Sequence, residues 1–260
     1  EGQEAASQAS EETLENGIGV RKAQFPPGDV VGVGENSVDL LVTVPHHPAP
    51  NEKLEVPGMV ALPGGQVASA LVGCARLGCR TRYLGSFGDD APARVIAAAL
   101  RREGVDTTHC RHVHAPNRSA LILVDAAAAT RTVLCRRDPA LDWPPEEMIP
   151  ELISDAQVLM LDATDLEAAV AAAVVARHAG VTVVADVDRP QPGLDRLLPH
   201  ADVLIASEGF PQAMTGEATL TRALRTLSAR FPQALVVVTL GAQGAVAWDG
   251  GTEVVSPGYV

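Results

Sequence analysis

Aromatic residues are scarce in this chain, at 3% of 260 residues against 47% hydrophobic residues overall. A core without large rings has to be filled by Val, Leu, Ile and Ala, a mix that suits parallel strands covered by Ala-rich helices. Cysteine is also sparse. Cys74, Cys79, Cys110 and Cys135 form no C-x-x-C pair, so reduced thiols in a cytoplasmic setting are expected. No stretch has the uninterrupted apolar length of a membrane span. No Lys or Arg precedes Arg21, whereas Glu1, Glu4, Glu11, Glu12 and Glu15 accumulate there. Lacking a basic start and an apolar run, that segment is not a secretory signal; its polarity without hydrophobic pattern predicts disorder over 1–28. The net charge of −12 argues against nucleic acid or an anionic membrane as a partner. The chain does not begin with Met and stops at Gly258-Tyr259-Val260 directly after a strand-like run, so both ends read as cut.

What remains alternates. Asp29 to Gly34 and Val38 to Val44 read as strands, and Pro45 to Pro57 as a Pro-rich connection. Val67 to Leu77 and Pro92 to Arg102 read as helices around a strand at Arg82 to Leu84. Ser119 to Val124 and Thr130 to Cys135 predict a hairpin rather than a βαβ unit. Alternation then resumes, with strands at 158–161, 181–185, 202–206 and 235–240. A helix opens on the capping-box spacing Thr164-Asp165-Leu166-Glu167 and ends at Gly180, and another covers Leu220 to Arg230. Repeated β–α alternation predicts a three-layer α/β/α core with a mostly parallel sheet over 29–260. Ligands in such sheets sit at the carboxyl ends of the strands. The two departures, about 40–60 and 107–136, predict a small β flap outside that core.

Pro63-Gly64-Gly65-Gln66 runs into the first helix, which ends in Ala75-Arg76-Leu77-Gly78, and Gly85-Ser86-Phe87-Gly88-Asp89-Asp90 precedes the second. Glycines before a helix let backbone approach a ligand and leave the first helical N–H groups free to bind it. Gly88-Asp89-Asp90 is assigned to structure, with Asp90 capping the second helix. Asp39 follows a Gly-containing strand and turn, where a carboxylate can accept hydrogen bonds from two vicinal hydroxyls. Gly32-Val33-Gly34 lacks the third glycine and the helix of a dinucleotide fingerprint, because Ser37 and a strand-like run stand there. His109, Cys110, His112 and His114 fit structural zinc poorly, having no distant second ligand pair. Arg136-Arg137-Asp138 reads as a surface charge cluster at the end of the hairpin.

The glycine loop, the Ala-Arg-Leu-Gly helix end and the Gly-Asp-Asp turn resemble the first signature of the ribokinase-like (PfkB) carbohydrate kinases. That resemblance implies a cytoplasmic enzyme that phosphorylates a sugar hydroxyl with ATP and Mg²⁺, and a flap that covers the sugar and often mediates dimerisation. It places Asp39, Gly64, Gly65 and Ser69 on the sugar, Ser69 standing where the family usually has Asn. Asp186-Val187-Asp188-Arg189 resembles the family's turn near the phosphates. Ser207-Glu208-Gly209-Phe210 stands where its Asn-x-x-Glu motif organises water around Mg²⁺, with both signature positions changed. Val238-Thr239-Leu240-Gly241-Ala242-Gln243-Gly244 resembles the segment used for ATP. The resemblance thus assigns Asp188, Ser207, Glu208, Thr239, Gly241 and Gly244 to the nucleotide. The family's Asp-Thr-x-Gly-Ala-Gly-Asp segment, which holds the developing charge and supplies the base, does not occur in these residues. No catalytic residue is therefore assigned and this chain alone is expected to be inactive. A non-catalytic sugar-binding or regulatory protein of the same fold is the alternative, and a nicotinamide-dependent enzyme a distant third.

Overall fold

The structure, a computed structural model, describes residues 29–249 and 251–258; the segment 1–28, expected to be disordered, lies outside them. Strand β1 (Asp29–Val33) leads through a short turn into β2 (Ser37–Val44). β3 (Met59–Gly64) returns to helix α1 (Gln66–Arg76), followed by β4 (Arg80–Leu84), β5 (Ser86–Phe87) and α2 (Ala91–Arg102). Next come β6 (Arg111–His112), the hairpin β7 (Ser119–Asp125) and β8 (Thr130–Arg136), and the short helix α3 (Pro150–Ser154). The second half adds β9 (Val158–Asp162), α4 (Leu166–Ala179), β10 (Thr182–Val187), α5 (Leu194–Leu197) and β11 (Val203–Ser207). It finishes with α6 (Phe210–Thr215), α7 (Leu220–Arg230), β12 (Leu235–Thr239), β13 (Ala245–Trp248) and β14 (Glu253–Ser256).

The large sheet runs β14-β13-β12-β11-β10-β9-β1-β4. All neighbours from β4 to β12 are parallel, and β13 and β14 complete it antiparallel. Side chains alternate across it. Val31, Val33, Leu159 and Leu161 join the alanines of α4 and Leu224 and Leu227 of α7 in one core; Val30 and Met160 meet α1 and α2 on the other face. This is the α/β/α arrangement with a mostly parallel sheet that the alternation predicts. The small sheet has the order β3-β2-β7-β8, with the predicted hairpin at its edge.

Two local features depart from the sequence reading. Met59–Gly64, assigned to no element from the sequence, is a strand paired antiparallel with β2. Its proline and exposed positions hide the period-two signal that pairing enforces. The capping box does not form: Asp165 is the N-cap of α4 and its side chain makes no cap hydrogen bond. Arg118 and Arg137 hold that carboxylate instead, and Glu167 pairs with Arg196 rather than reaching back. Asp90 does cap α2, accepting from the Ala93 N–H at 3.1 Å.

Gly32 of β1 permits the close packing of α1: a Cβ there would lie 2.5 Å from Val67 Cγ1 and 2.7 Å from Leu71 Cδ1. Gly32→Ala is expected to lower stability by about 1–3 kcal/mol through overpacking. Urea unfolding measures it, and adding Val67→Ala should recover part of the loss.

Candidate active site

The carboxyl ends of β1, β9, β10, β11 and β12 share one edge, and the small sheet stands over its β1 side. Between them lies a cleft of about 920 Å³ lined by Asp39, Gly64, Gly65, Ser69, Asp188 and Glu35, with Leu41, Ile122 and Val133 continuing the face of the small sheet that carries Asp39. Asp39, half-buried, accepts a hydrogen bond from Ser37 Oγ at 2.8 Å. A Cβ on Gly64 would come within 2.2 Å of Asp39 Oδ2, and one on Gly65, at φ +99°, within 2.5 Å of the Glu35 carbonyl oxygen. Only paired glycines let the β3–α1 turn lie against both residues. Asp39, Gly64, Gly65 and Ser69, proposed from the sequence as one group, therefore line one cleft.

The other group of sequence-selected residues continues along the same edge. Ser207 Oγ donates to the carbonyl oxygen of Asp188 at 2.6 Å, Ser207 lies in register with Thr239, and Thr239 Oγ1 donates to the Ala206 carbonyl at 3.4 Å. Asp188, Glu208 and Thr239 are exposed. The two glycines that follow differ. A Cβ on Gly241 would meet open space, whereas one on Gly244 would lie 2.0 Å from the Ser256 carbonyl oxygen. Gly244 thus serves the packing of the turn against the 256–258 backbone. Phe210, at the other altered signature position, is buried in the core at 1% exposure.

Beneath the cleft lies a cluster whose members the sequence did not bring together, Asp162 and Arg118 among them unnoticed. The fully buried Asp162 accepts the Glu35 N–H at 2.7 Å and the Thr164 N–H at 2.8 Å, and burial pushes its carboxyl up. Asp186 accepts from Gln66 Nε2 at 3.3 Å and is raised by burial as well. Burial, reinforced by Asp162, lifts the Glu35 carboxyl to about 7. Arg118, 1% exposed, donates from Nη2 to Asp165 Oδ1 at 2.6 Å and to the Leu141 carbonyl at 3.1 Å. Burial lifts Asp165 to about 6 against the pull of Arg118 and Arg137. Asp162 sits at the end of a buried strand facing the ligand edge, the signal that places Asp186 there in the sequence and that would have found Asp162 as well. Nothing in the local sequence marks Arg118. Arg137 bridges Asp142 and Asp165 at 2.6 and 2.9 Å, so half of the arginine pair at the hairpin's end is bound into this network. Elsewhere, Cys110 Sγ donates to the Tyr83 carbonyl, His112 lies against Phe87, and His114 pairs with Asp89.

Fold and cleft together define a sugar-kinase architecture, and the chain belongs to the pfkB family of carbohydrate kinases, whose pattern residues 28–258 match. It is 26% identical to the ribokinase of Haemophilus influenzae over 222 residues, 82% of this chain and 72% of that protein. It is 29% identical to the 5-dehydro-2-deoxygluconokinase of Geobacillus kaustophilus over 174 residues, 64% of this chain and only 51% of that protein. The Arabidopsis thaliana ribokinase solved with ribose and ATP superposes with a TM-score of 0.72 at 22% identity, covering 89% of this chain and 78% of that one. The adenosine kinase of Sinorhizobium meliloti gives 0.76 at 19%, covering 90% and 81%. Both structures share the fold.

Replacing Arg118 by Met strands the buried Asp165 carboxylate without its main partner. Breaking such a pair should cost about 3–5 kcal/mol in urea unfolding, while an added Asp165→Leu should restore most of it.

Proposed function

We propose that this chain forms the sugar-binding part and a portion of the nucleotide edge of a cytoplasmic kinase that transfers phosphate from ATP to a sugar hydroxyl. The observation that carries the reading is the approach of Asp39 to Gly64 in a cleft also lined by Asp188, whose carbonyl is tied to Ser207. Asp39 accepts hydrogen bonds from sugar hydroxyls, and the Gly64–Gly65 turn and Ser69 close the cleft around them. The small sheet acts as a lid, its Leu41, Ile122 and Val133 excluding water from the sugar. Its other face exposes Leu40, Met59 and Leu134, which supports dimerisation through that sheet.

Ser207, Thr239 and Gly241 suit a nucleotide, offering a hydroxyl, an exposed hydroxyl and an approachable backbone at one sheet edge. Glu208, an exposed carboxylate at this edge, would hold Mg²⁺ through water, in keeping with the few protein ligands this ion takes. Gly244, packed as it is, acts on the nucleotide only by shaping the turn. Bound ATP with Mg²⁺ supplies the phosphoryl group and neutralises its charge. A non-catalytic sugar binder of the same fold draws support from Phe210, which is buried and offers the phosphates nothing.

The 260-residue chain is expected to bind sugar without turnover, because no residue in the cleft stands in for the Gly-Ala-Gly-Asp segment. Sugar-dependent ADP release above background in a coupled assay contradicts that expectation. Asp39→Asn should weaken sugar binding by about tenfold or more, the loss of hydrogen bonds to a charged acceptor. Calorimetry measures it, and unchanged affinity removes Asp39 from the site.

A further inference from the structure

Glu35 lines the same cleft as Asp39, yet the two carboxyls stand in different surroundings. Asp39 is held by Ser37. The Glu35 carboxyl has no hydrogen-bond partner among the described residues, although the residue is half-buried. It cannot retreat. Its N–H is bonded to Asp162 and its carbonyl accepts the Ala68 N–H at 3.2 Å, so the backbone is fixed on both sides and the side chain projects into the cleft.

The charges around it are mixed. Asp39 stands on β2 and Asp162 at the end of β9, both acidic and raising it; Arg118 and Arg137 pull the other way. Across the cleft stand Cys135 and Arg131 of β8, with Asp188 and Arg189 beyond β10. Desolvation outweighs the arginines, and the carboxyl keeps its proton up to about pH 7. A desolvated group without a partner is costly until a ligand supplies one.

We infer that Glu35, as a neutral acid, donates a hydrogen bond to an acceptor-only oxygen of the sugar, a carbonyl or ring oxygen, and so selects its substrate alongside Asp39. This rests on the sugar-site reading above and deepens it. The division is chemical: Asp39 reads hydroxyls that donate, and Glu35 reads an oxygen that can only accept. A hydroxyl in the same place could turn and donate to the carboxylate, so it would not need the proton. Above the carboxyl's titration, affinity for the sugar falls about tenfold per pH unit until another mode of binding takes over.

The test is calorimetry of D-ribose, D-fructose and D-glucose, with ribitol, mannitol and sorbitol as alditol controls, from pH 5.5 to 8.5. The sugar that binds should lose at least tenfold in affinity across that range, and its alditol should not. Glu35→Gln, which retains a donor, should flatten the profile near the low-pH affinity, and Glu35→Ala should bind weakly throughout. Carbon-13 NMR of the Glu35 carboxyl gives a second readout: its titration should move upward when sugar binds, since the protonated form is the one bound. A downward shift, or the same pH profile in Glu35→Gln, overturns the assignment. Binding that depends on Asp39 but not on pH also overturns it while leaving the sugar site intact. If none of these sugars binds the wild-type chain, both readings fall.

Discussion

The candidate site depends on one buried carboxylate. Asp162 closes strand β9 and holds the N–H of Glu35 where the chain leaves β1 for the small sheet. The fit leaves no room for a side chain between them: a Cβ on Gly34 would lie 2.5 Å from Asp162 Oδ2. The same carboxylate accepts the Thr164 N–H. By fixing the turn after β1, Asp162 sets the start of β2 and therefore the position of Asp39. A carboxylate buried to this degree is tolerable because backbone N–H groups bond it directly and Arg118 lies nearby.

A second set of bonds ties the small sheet's entry points to the core. Asn36, just before β2, donates to Tyr83 Oη at 2.7 Å and to the Ser86 carbonyl at 2.9 Å. Asn117, just before β7, donates to Asn36 Oδ1 at 3.0 Å and accepts the Gly88 N–H at 3.0 Å. Tyr83 Oη donates to the Gly34 carbonyl at 2.8 Å. These groups are buried and mutually satisfied, which makes the network rigid. Both strands of the small sheet that pair parallel to each other, β2 and β7, thus leave the core from one pinned point.

Much of this was legible in the sequence because it follows from periodicity and glycine placement. The buried runs at Asp29, Val158, Val181 and Leu235 have few alternatives to parallel strands, and Gly64-Gly65 before an apolar helix marks a close backbone approach. What stayed hidden depends on long-range pairing. Met59–Gly64 becomes a strand only because β2 lies beside it. The helix starts one residue later than the capping box requires, with Asp165 as its N-cap, and Arg118, 47 positions away in sequence, takes that carboxylate with a charge-assisted bond. Nothing in the local sequence marks Glu35, and only its burial beside Asp162 distinguishes it from a solvated acid. Gly241 and Gly244 read alike in sequence; the 256–258 backbone separates them.

The two halves of the edge also differ in their relation to water. On the β1 side, Glu35, Asp162 and Asp186 are raised by burial, so electrostatic contacts there act across less solvent. On the β12 side, Asp188, Glu208, Thr239 and Gly241 are exposed. A neutral polyol gains from the first setting, because each hydroxyl that leaves water meets a fixed partner and the weak interaction of an uncharged group is strengthened by desolvation. A polyphosphate is better served by the second, since stripping several charges of their hydration would cost more than side chains at this edge return. The acidic cleft and the open edge beside it divide the surface by the hydration cost of what each would hold.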